Sequence, residues 1–154
     1  MSLISAFQKI CACADTISRK NAQTSPSSVL RRATIESWLL LFRFEIIMRL
    51  CSSAVLRRTV QNEPIRHTAI PCSIRHEELS HAVDLACVFY FKRVRCLQRS
   101  AATTILLRRY GWEAKMVTGA CILPDEFHAW VEVDDLVVND RPYMNEIYQV
   151  LERC

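Results

Sequence analysis

Glycine is scarce in this chain, because among its 154 residues only Gly111 and Gly119 are glycines. Loops that wrap phosphate groups depend on closely spaced glycines, as in the patterns GxGxxG and GxxxxGKS/T. Neither pattern occurs here. The sequence therefore excludes a nucleotide-binding protein of the glycine-loop type, and we expect no cofactor.

Long apolar runs and strong charge clusters are also lacking. The most apolar segment, residues 38–48, contains Arg43 and Glu45 and is far shorter than the roughly 20 residues of a bilayer span. The net charge of +4 is weaker than the clustered basic footprint of a nucleic-acid-binding protein, so we expect no nucleic-acid partner. Packing in the core is the favoured interpretation of this segment, and docking on a membrane surface is the alternative. That alternative is suggested by the flanking arginines Arg31, Arg32, Arg57 and Arg58.

Cysteine, in contrast, is abundant. A disulfide framework would require an export signal, and the first residues show no basic region followed by an apolar one. We therefore expect a cytoplasmic protein with reduced thiols, most of them small buried side chains. Cys11 and Cys13 have no second pair at the spacing of a zinc site, so no metal is expected. The eight cysteines are Cys11, Cys13, Cys51, Cys72, Cys87, Cys96, Cys121 and Cys154.

The order of elements predicts an α+β fold with N-terminal helices packed on an antiparallel sheet. Residues 1–28 are predicted to be a flexible lead-in, with a short helix possible over residues 1–14, and residues 29–154 a single domain. Apolar periodicity and β-rich runs then predict the elements of that domain. Helices are expected over residues 29–60, 75–91, 97–109 and 145–153, and strands over residues 114–122, 127–133 and 136–139.

Cys96 stands at the predicted start of the best-defined helix, which ends before Gly111. A helix N-terminus carries roughly half a positive charge, which favours a thiolate. His128, on a predicted strand, can pair with that thiolate, and Asp140 follows on the next strand. A cysteine, a histidine and an acid in this order are typical of thiol acyl-transfer enzymes.

The acid that orients His128 depends on the register of the hairpin. Glu132 lies on the same strand about 13 Å away, at about 3.3 Å per residue, which is too far. Glu126 can reach only if the strand bends. A two-residue loop would put Asp140 on the face opposite His128, so we predict a loop or bulge of odd parity.

Several stretches around these residues resemble one known family. They are Ala82-Val83-Asp84-Leu85-Ala86, Arg95-Cys96-Leu97-Gln98-Arg99-Ser100, Leu106-Leu107-Arg108-Arg109-Tyr110-Gly111, Val117-Thr118-Gly119, His128-Ala129-Trp130-Val131-Glu132-Val133 and Val138-Asn139-Asp140. Together they resemble the stand-alone, transglutaminase-like B proteins of lasso-peptide biosynthesis. The resemblance implies a transglutaminase/papain-like cysteine protease core, with Cys96 as nucleophile, His128 as base and Asp140 as orienting acid.

The implied activity is removal of the leader from a ribosomally made precursor peptide. The implied partners are that precursor, a separate leader-recognition protein and an ATP-dependent lasso cyclase. The Cys96 backbone N–H is one expected oxyanion donor, Tyr90 and Gln98 are candidates for the second, and Arg99 is a candidate for holding a substrate carboxylate or for an internal salt bridge. Acyl transfer to an amine and a non-catalytic peptide-binding subunit are the alternatives.

Overall fold

The computed structural model describes residues 26–66, 74–123 and 125–154. Most of the predicted lead-in, including the short helix over residues 1–14, lies outside these residues. Four longer helices precede a small sheet, and a single short helix interrupts its strands. In chain order the elements are α1 (Pro26–Leu50), α2 (Ser53–Gln61), α3 (His76–Val88), α4 (Cys96–Arg109), β1 (Ala114–Cys121), β2 (Glu126–Val133), β3 (Leu136–Val137), α5 (Met144–Ile147) and β4 (Gln149–Arg153).

The four strands form one antiparallel sheet with the order β3-β2-β1-β4. The predicted α+β class is therefore confirmed. The region predicted as helical over residues 29–60 consists of α1 and α2, and the predicted boundaries of α4 and β1 differ from the observed ones by a single residue.

Helix α4 is the centre of the fold. It packs against α1 and α3 on one side and against the sheet on the other, and all its residues from Ser100 to Leu107 are buried. A helix enclosed on all sides needs small residues where neighbours approach closely, and Ala101 and Ala102 supply them. Its enclosed position fixes the orientation of its N-terminus, where Cys96 lies.

The two faces of the sheet bury different clusters. Met116 and Val131 pair across β1 and β2 and belong to the main core under α4. Val117 and Trp130 form the next pair, and they point to the opposite face, where they pack with Met144. His128 shares this second face with Trp130, because side chains two residues apart on a strand point the same way.

The predicted helix over residues 145–153 is wrong. Only the four residues of α5 are helical, and the chain is extended from Tyr148 onwards. Strand β4 pairs with the free edge of β1, from Ala120 with Gln149 to Val117 with Arg153. Pairing with an exposed strand edge, which is a tertiary interaction, outweighed the local helical tendency of this segment.

The expectation that most cysteines are buried is also wrong for the cysteines that the structure describes. Cys51 is exposed, and Cys87, Cys96, Cys121 and Cys154 are partly exposed. All five are free thiols. Among the described helices, none is both long and apolar enough to cross a membrane.

Candidate active site

Cys96 is the first residue of α4, and its sulfur receives hydrogen bonds from two backbone N–H groups. One is the N–H of Leu97 in the first turn of the helix, and the other is the N–H of Ala129 on β2. Arg95, the residue before the helix, makes no side-chain cap, so the helix N-terminus faces the thiol uncovered. The hydrogen bond with His128, followed by these N–H groups, lowers the pKa of Cys96 although burial opposes this.

His128 bridges the thiol and a carboxylate. Its Nε2 lies 2.9 Å from Oδ2 of Asp140, which leaves Nδ1 as the ring nitrogen for Cys96. The hydrogen bond with Cys96, joined by that with Asp140, raises the pKa of His128 to about 9, against the effect of burial. The imidazole is therefore charged at neutral pH while the thiol beside it is acidified. Both shifts favour a thiolate–imidazolium pair, which is the form that nucleophilic catalysis by cysteine requires.

Asp140 is held as an anion by its neighbours. Burial raises the pKa of Asp140. Hydrogen bonds from His128 and from the backbone N–H of Arg141, together with the charge of Arg99, outweigh burial, so the pKa is lowered overall. The Arg141 N–H lies 2.8 Å from Oδ1, while Oδ2 faces the imidazole. Both oxygens are thus engaged, which fixes the orientation of the carboxylate.

The predicted odd parity of the hairpin is wrong. Val133 pairs with Leu136, so the loop between them has two residues. Asp134 and Asp135 both have positive φ, 51° and 61°, as a two-residue hairpin turn with the twist of its strands requires. Asp140 nevertheless reaches His128, because β3 ends at Val137 and the alternation of faces ends with it.

The early end of β3 also opens the edge of β2 to the thiol. Val131 still accepts a hydrogen bond from the N–H of Val138, which shows that the odd-numbered residues of β2 direct their polar groups towards this edge. Two residues further along, on the edge of β2 away from β1, no strand in the described part of the chain pairs with Ala129. Its N–H therefore points at the sulfur of Cys96, and its carbonyl accepts a hydrogen bond from the Ser100 hydroxyl at 2.8 Å.

Asn139 takes the place of the missing strand. Its Oδ1 accepts the hydrogen bond from the N–H of Val131 at 2.7 Å, and its Nδ2 donates to Ser100 Oγ at 3.1 Å. The side chain is buried and lies one residue before Asp140. Asn139 therefore ties the segment that carries Asp140 to both β2 and α4.

Replacing Asn139 with alanine is expected to lower the free energy of unfolding by about 1–3 kcal/mol, because the buried N–H of Val131 loses its acceptor. Urea titration measures this change. We also expect slower alkylation of Cys96, since Asp140 loses its anchor. Asn145→Ala is the matched control, because the Asn145 amide donates a hydrogen bond to Glu132, on the face of the sheet opposite α4. Equal effects of the two variants on Cys96 would contradict the positioning role of Asn139.

Aromatic rings support the imidazole from the second face of the sheet. The ring of Tyr148 lies 5.3 Å from that of His128 at an angle of 24°, and Trp130 lies 6.5 Å away at 19°. Gly119, opposite His128 on β1, makes this packing possible. A Cβ there would lie 2.8 Å from the Trp130 ring and 2.9 Å from Cβ of Tyr148. The fully buried Trp130 donates to Glu132, so it serves the packing of the hairpin.

Arg99 forms internal contacts. Its Nε lies 3.1 Å from Oδ1 of Asp84 on α3, without the alignment of a good hydrogen bond, and its guanidinium donates to the carbonyl of Asn139. Arg99 therefore connects α3 to the segment before Asp140. These contacts favour the internal salt bridge over a role in holding a substrate carboxylate.

Gln98 and Tyr90 lie on the side of α4 that faces α1. The amide of Gln98 is fully buried and donates to the carbonyl of Leu41 at 2.8 Å. Residues two apart on a helix point in nearly opposite directions, so Gln98 points away from Cys96. The buried Tyr90 packs with its ring 5.7 Å from that of Trp38, and burial raises the pKa of its hydroxyl. These contacts do not support either residue as the second oxyanion donor.

Sequence reasoning singled out Cys96, His128 and Asp140, and the structure brings these three side chains together. It missed Asn139 and Ser100, although both carried a signal. Ser100 stands one helical turn after Cys96 on the same face, and Asn139 is a polar residue directly after the apolar run Leu136-Val137-Val138. Their hydrogen bonds, however, depend on the early end of β3.

Comparison with known proteins identifies one family. Residues 38–153 match the model of the transglutaminase-like superfamily core. No curated protein and no solved structure matches the chain. The matched range begins within α1 and ends with the last residue of β4, so it includes the site just described.

Proposed function

The chain belongs to the transglutaminase-like superfamily, and we propose that it is a cysteine peptidase that removes the leader from a ribosomally made lasso precursor peptide. The observation that carries the peptidase proposal is the hydrogen-bonded series Cys96, His128 and Asp140. The superfamily includes cysteine peptidases and acyltransferases, and both use a thioester. The lasso assignment is supported by the motifs around Cys96 and His128, which resemble those of the B proteins.

The proposed reaction has two steps. The Cys96 thiolate attacks the carbonyl carbon at the leader–core junction, and the charge that develops on oxygen faces the backbone N–H of Cys96 at the helix start. The C–N bond then breaks, the His128 imidazolium gives its proton to the leaving amine, and the leader remains as a thioester on Cys96. The neutral His128 next takes a proton from water, which attacks the thioester and releases the leader as a carboxylic acid.

A polypeptide substrate is supported by the surroundings of the site. Exposed apolar side chains occur on the segment that leads to Cys96, at Phe89 and Phe91, and on the segment that leads to His128, at Leu123 and Phe127. Large apolar side chains exposed in this way are typical of a surface that contacts another polypeptide. In this proposal the enzyme acts in the cytoplasm, where thiols stay reduced, with a separate leader-recognition protein and an ATP-dependent cyclase.

Incubation of the precursor with its leader-recognition protein and this chain tests the proposal. We expect mass spectrometry to detect a free leader with a new carboxyl terminus, and no product with Cys96→Ala. A product crosslinked to an added amine, without free leader, would instead assign the chain to the acyltransferases. An intact precursor under conditions where Cys96 is demonstrably reactive would contradict the lasso assignment and leave the thiol chemistry standing.

A further inference from the structure

Helix α1 carries a line of exposed apolar side chains that no described residue covers. They are 41% to 80% exposed and are separated by four, three, four and four residues. At 100° per residue these positions fall within about 80° of the helix circumference, and at 1.5 Å per residue they extend about 22 Å. We call this set the α1 stripe, and it consists of Ile35, Leu39, Phe42, Ile46 and Leu50.

The α1 stripe is separate from the candidate active site. The opposite face of α1 is buried in the main core, where Leu41 and Phe44 are fully enclosed. The Leu41 carbonyl accepts the hydrogen bond from Gln98 of α4, so the helix that carries Cys96 lies behind the stripe. A ligand bound to the α1 stripe would therefore contact a surface that does not include the candidate active site.

Arginines lie on both sides of the stripe. Arg31 and Arg49 project on one flank, at about 40° from Ile35, and Arg32 and Arg43 project on the other, at about 60–80°. All four are exposed. Among the described residues, no ion pair involves Arg31, Arg32 or Arg43, and Arg49 shares Glu45 with Lys92. The α1 stripe is thus an apolar line with positively charged side chains on both flanks.

The acidic side chains of α1 do not neutralise these flanking arginines. Glu36 forms an ion pair with Arg109, and Glu45 is buried against Lys92. Both therefore serve contacts within the molecule. The charge that α1 presents beside the stripe is positive, which favours an occupant with negative charge on either side of an apolar line.

The shape of the stripe favours a helix as that occupant. A narrow apolar line at alternating spacings of three and four residues is the pattern of helix pairing, whereas a helix lying in a membrane surface needs a wider apolar face. A second copy of this chain would bring arginines against arginines along the same line. We propose that the α1 stripe binds an amphipathic helix of a partner protein, with apolar residues along the contact and acidic residues on both flanks.

The binding test uses fluorescein-labelled synthetic helices of about 21 residues and the full chain. One peptide has leucines along one line with glutamates on both flanks, the second has lysines in place of the glutamates, and the third is a scrambled version of the first. Fluorescence polarisation should show binding of the acidic helix that is at least about tenfold tighter than that of the other two.

Variants locate the binding site. Leu39→Glu should weaken the acidic peptide at least about tenfold, because a charge replaces an apolar contact. The matched control is Leu136→Glu, at a similarly exposed leucine at the start of β3, and it should bind like the wild type. The double variant Arg32→Glu/Arg43→Glu should reverse the preference, so that the basic peptide binds more tightly. None of these residues contacts the candidate active site, so thiol reactivity should stay unchanged.

Any of five results would overturn the proposal. Equal binding of all three peptides, or binding insensitive to Leu39→Glu, would show no site on the stripe. A dimer in sedimentation that dissociates with Leu39→Glu would assign the stripe to a second copy. Binding to phosphatidylglycerol vesicles, lost with Leu39→Glu and without peptide binding, would assign it to a membrane. Peptide binding that appears only after deletion of residues 2–25 would assign it to that segment.

Discussion

Replacing His128 with alanine is expected to slow alkylation of Cys96 by iodoacetamide at about pH 6 by at least about tenfold. Only the thiolate reacts, and an ordinary thiol with a pKa near 8.5 is less than about 1% ionised at that pH. In the wild type the hydrogen bond with His128 is the main reason that the pKa of Cys96 is lowered. Without the imidazole, burial remains and raises that pKa.

The reaction is followed by mass spectrometry of the peptide that contains Cys96. Cys51 is exposed and provides an internal reference thiol that should react alike in both proteins. His81→Ala is the control variant, because His81 lies on α3 and takes no part in the site. If Cys96 and Cys51 reacted at similar rates in the wild type at about pH 6, the activated thiol would be refuted.

The same pair predicts how stability depends on pH. The pKa of His128 is raised from 6.5 to about 9 in the folded protein, so its contribution is fully present below about pH 6.5 and is lost as the pH rises through about 9. The pKa of Cys96 is lowered, so its contribution is lost as the pH falls through that lowered value. The pair therefore stabilises the fold most in the neutral range.

Asp140→Asn is expected to reduce the rate of precursor cleavage by about 10²–10⁴-fold while leaving Cys96 and His128 in place. The carboxylate can only accept a hydrogen bond, so it fixes the hydrogen on Nε2 and leaves Nδ1 for the thiol. An amide in its place donates a hydrogen bond to Nε2. The ring then carries its proton on Nδ1, which is the wrong tautomer for a base that faces sulfur.

Single-turnover cleavage with excess enzyme separates this effect from binding. Asp125→Asn, in the exposed β1–β2 turn, is the matched control and should cleave like the wild type. Asp140→Asn should also slow the alkylation of Cys96, because the imidazolium loses its counter-charge. Cleavage at the wild-type rate by Asp140→Asn would show that Asp140 does not orient His128 for catalysis.

The sequence predicted α4 well because its evidence is local. The apolar spacing of Leu97, Ala101 and Ile105, the arginines of the last turn and Gly111 all indicate one helix, and Gly111 has a φ of 90° in the structure. The three residues of the site could also be predicted from the sequence, because the prediction depended on the residue types at Cys96, His128 and Asp140 and on their order.

The parts that sequence reasoning missed depend on tertiary contacts. Asp134 and Asp135 gave no glycine to mark a two-residue turn, yet aspartate tolerates positive φ. Strict alternation then led to the wrong prediction of an odd-parity loop, because the end of β3 at Val137 cannot be inferred from the apolar run that continues to Val138. Strand β4 was missed because its partner is the distant edge of β1.

The most direct test of the central claim, that Cys96 is an activated nucleophile paired with His128 and oriented by Asp140, is acylation with p-nitrophenyl acetate. We predict a burst of p-nitrophenolate stoichiometric with the protein, an acetyl group that mass spectrometry locates on Cys96, and its release as His128 activates water. A wild-type rate equal to that of Cys96→Ala, with acetyl groups spread over the exposed thiols and no burst, would contradict the account.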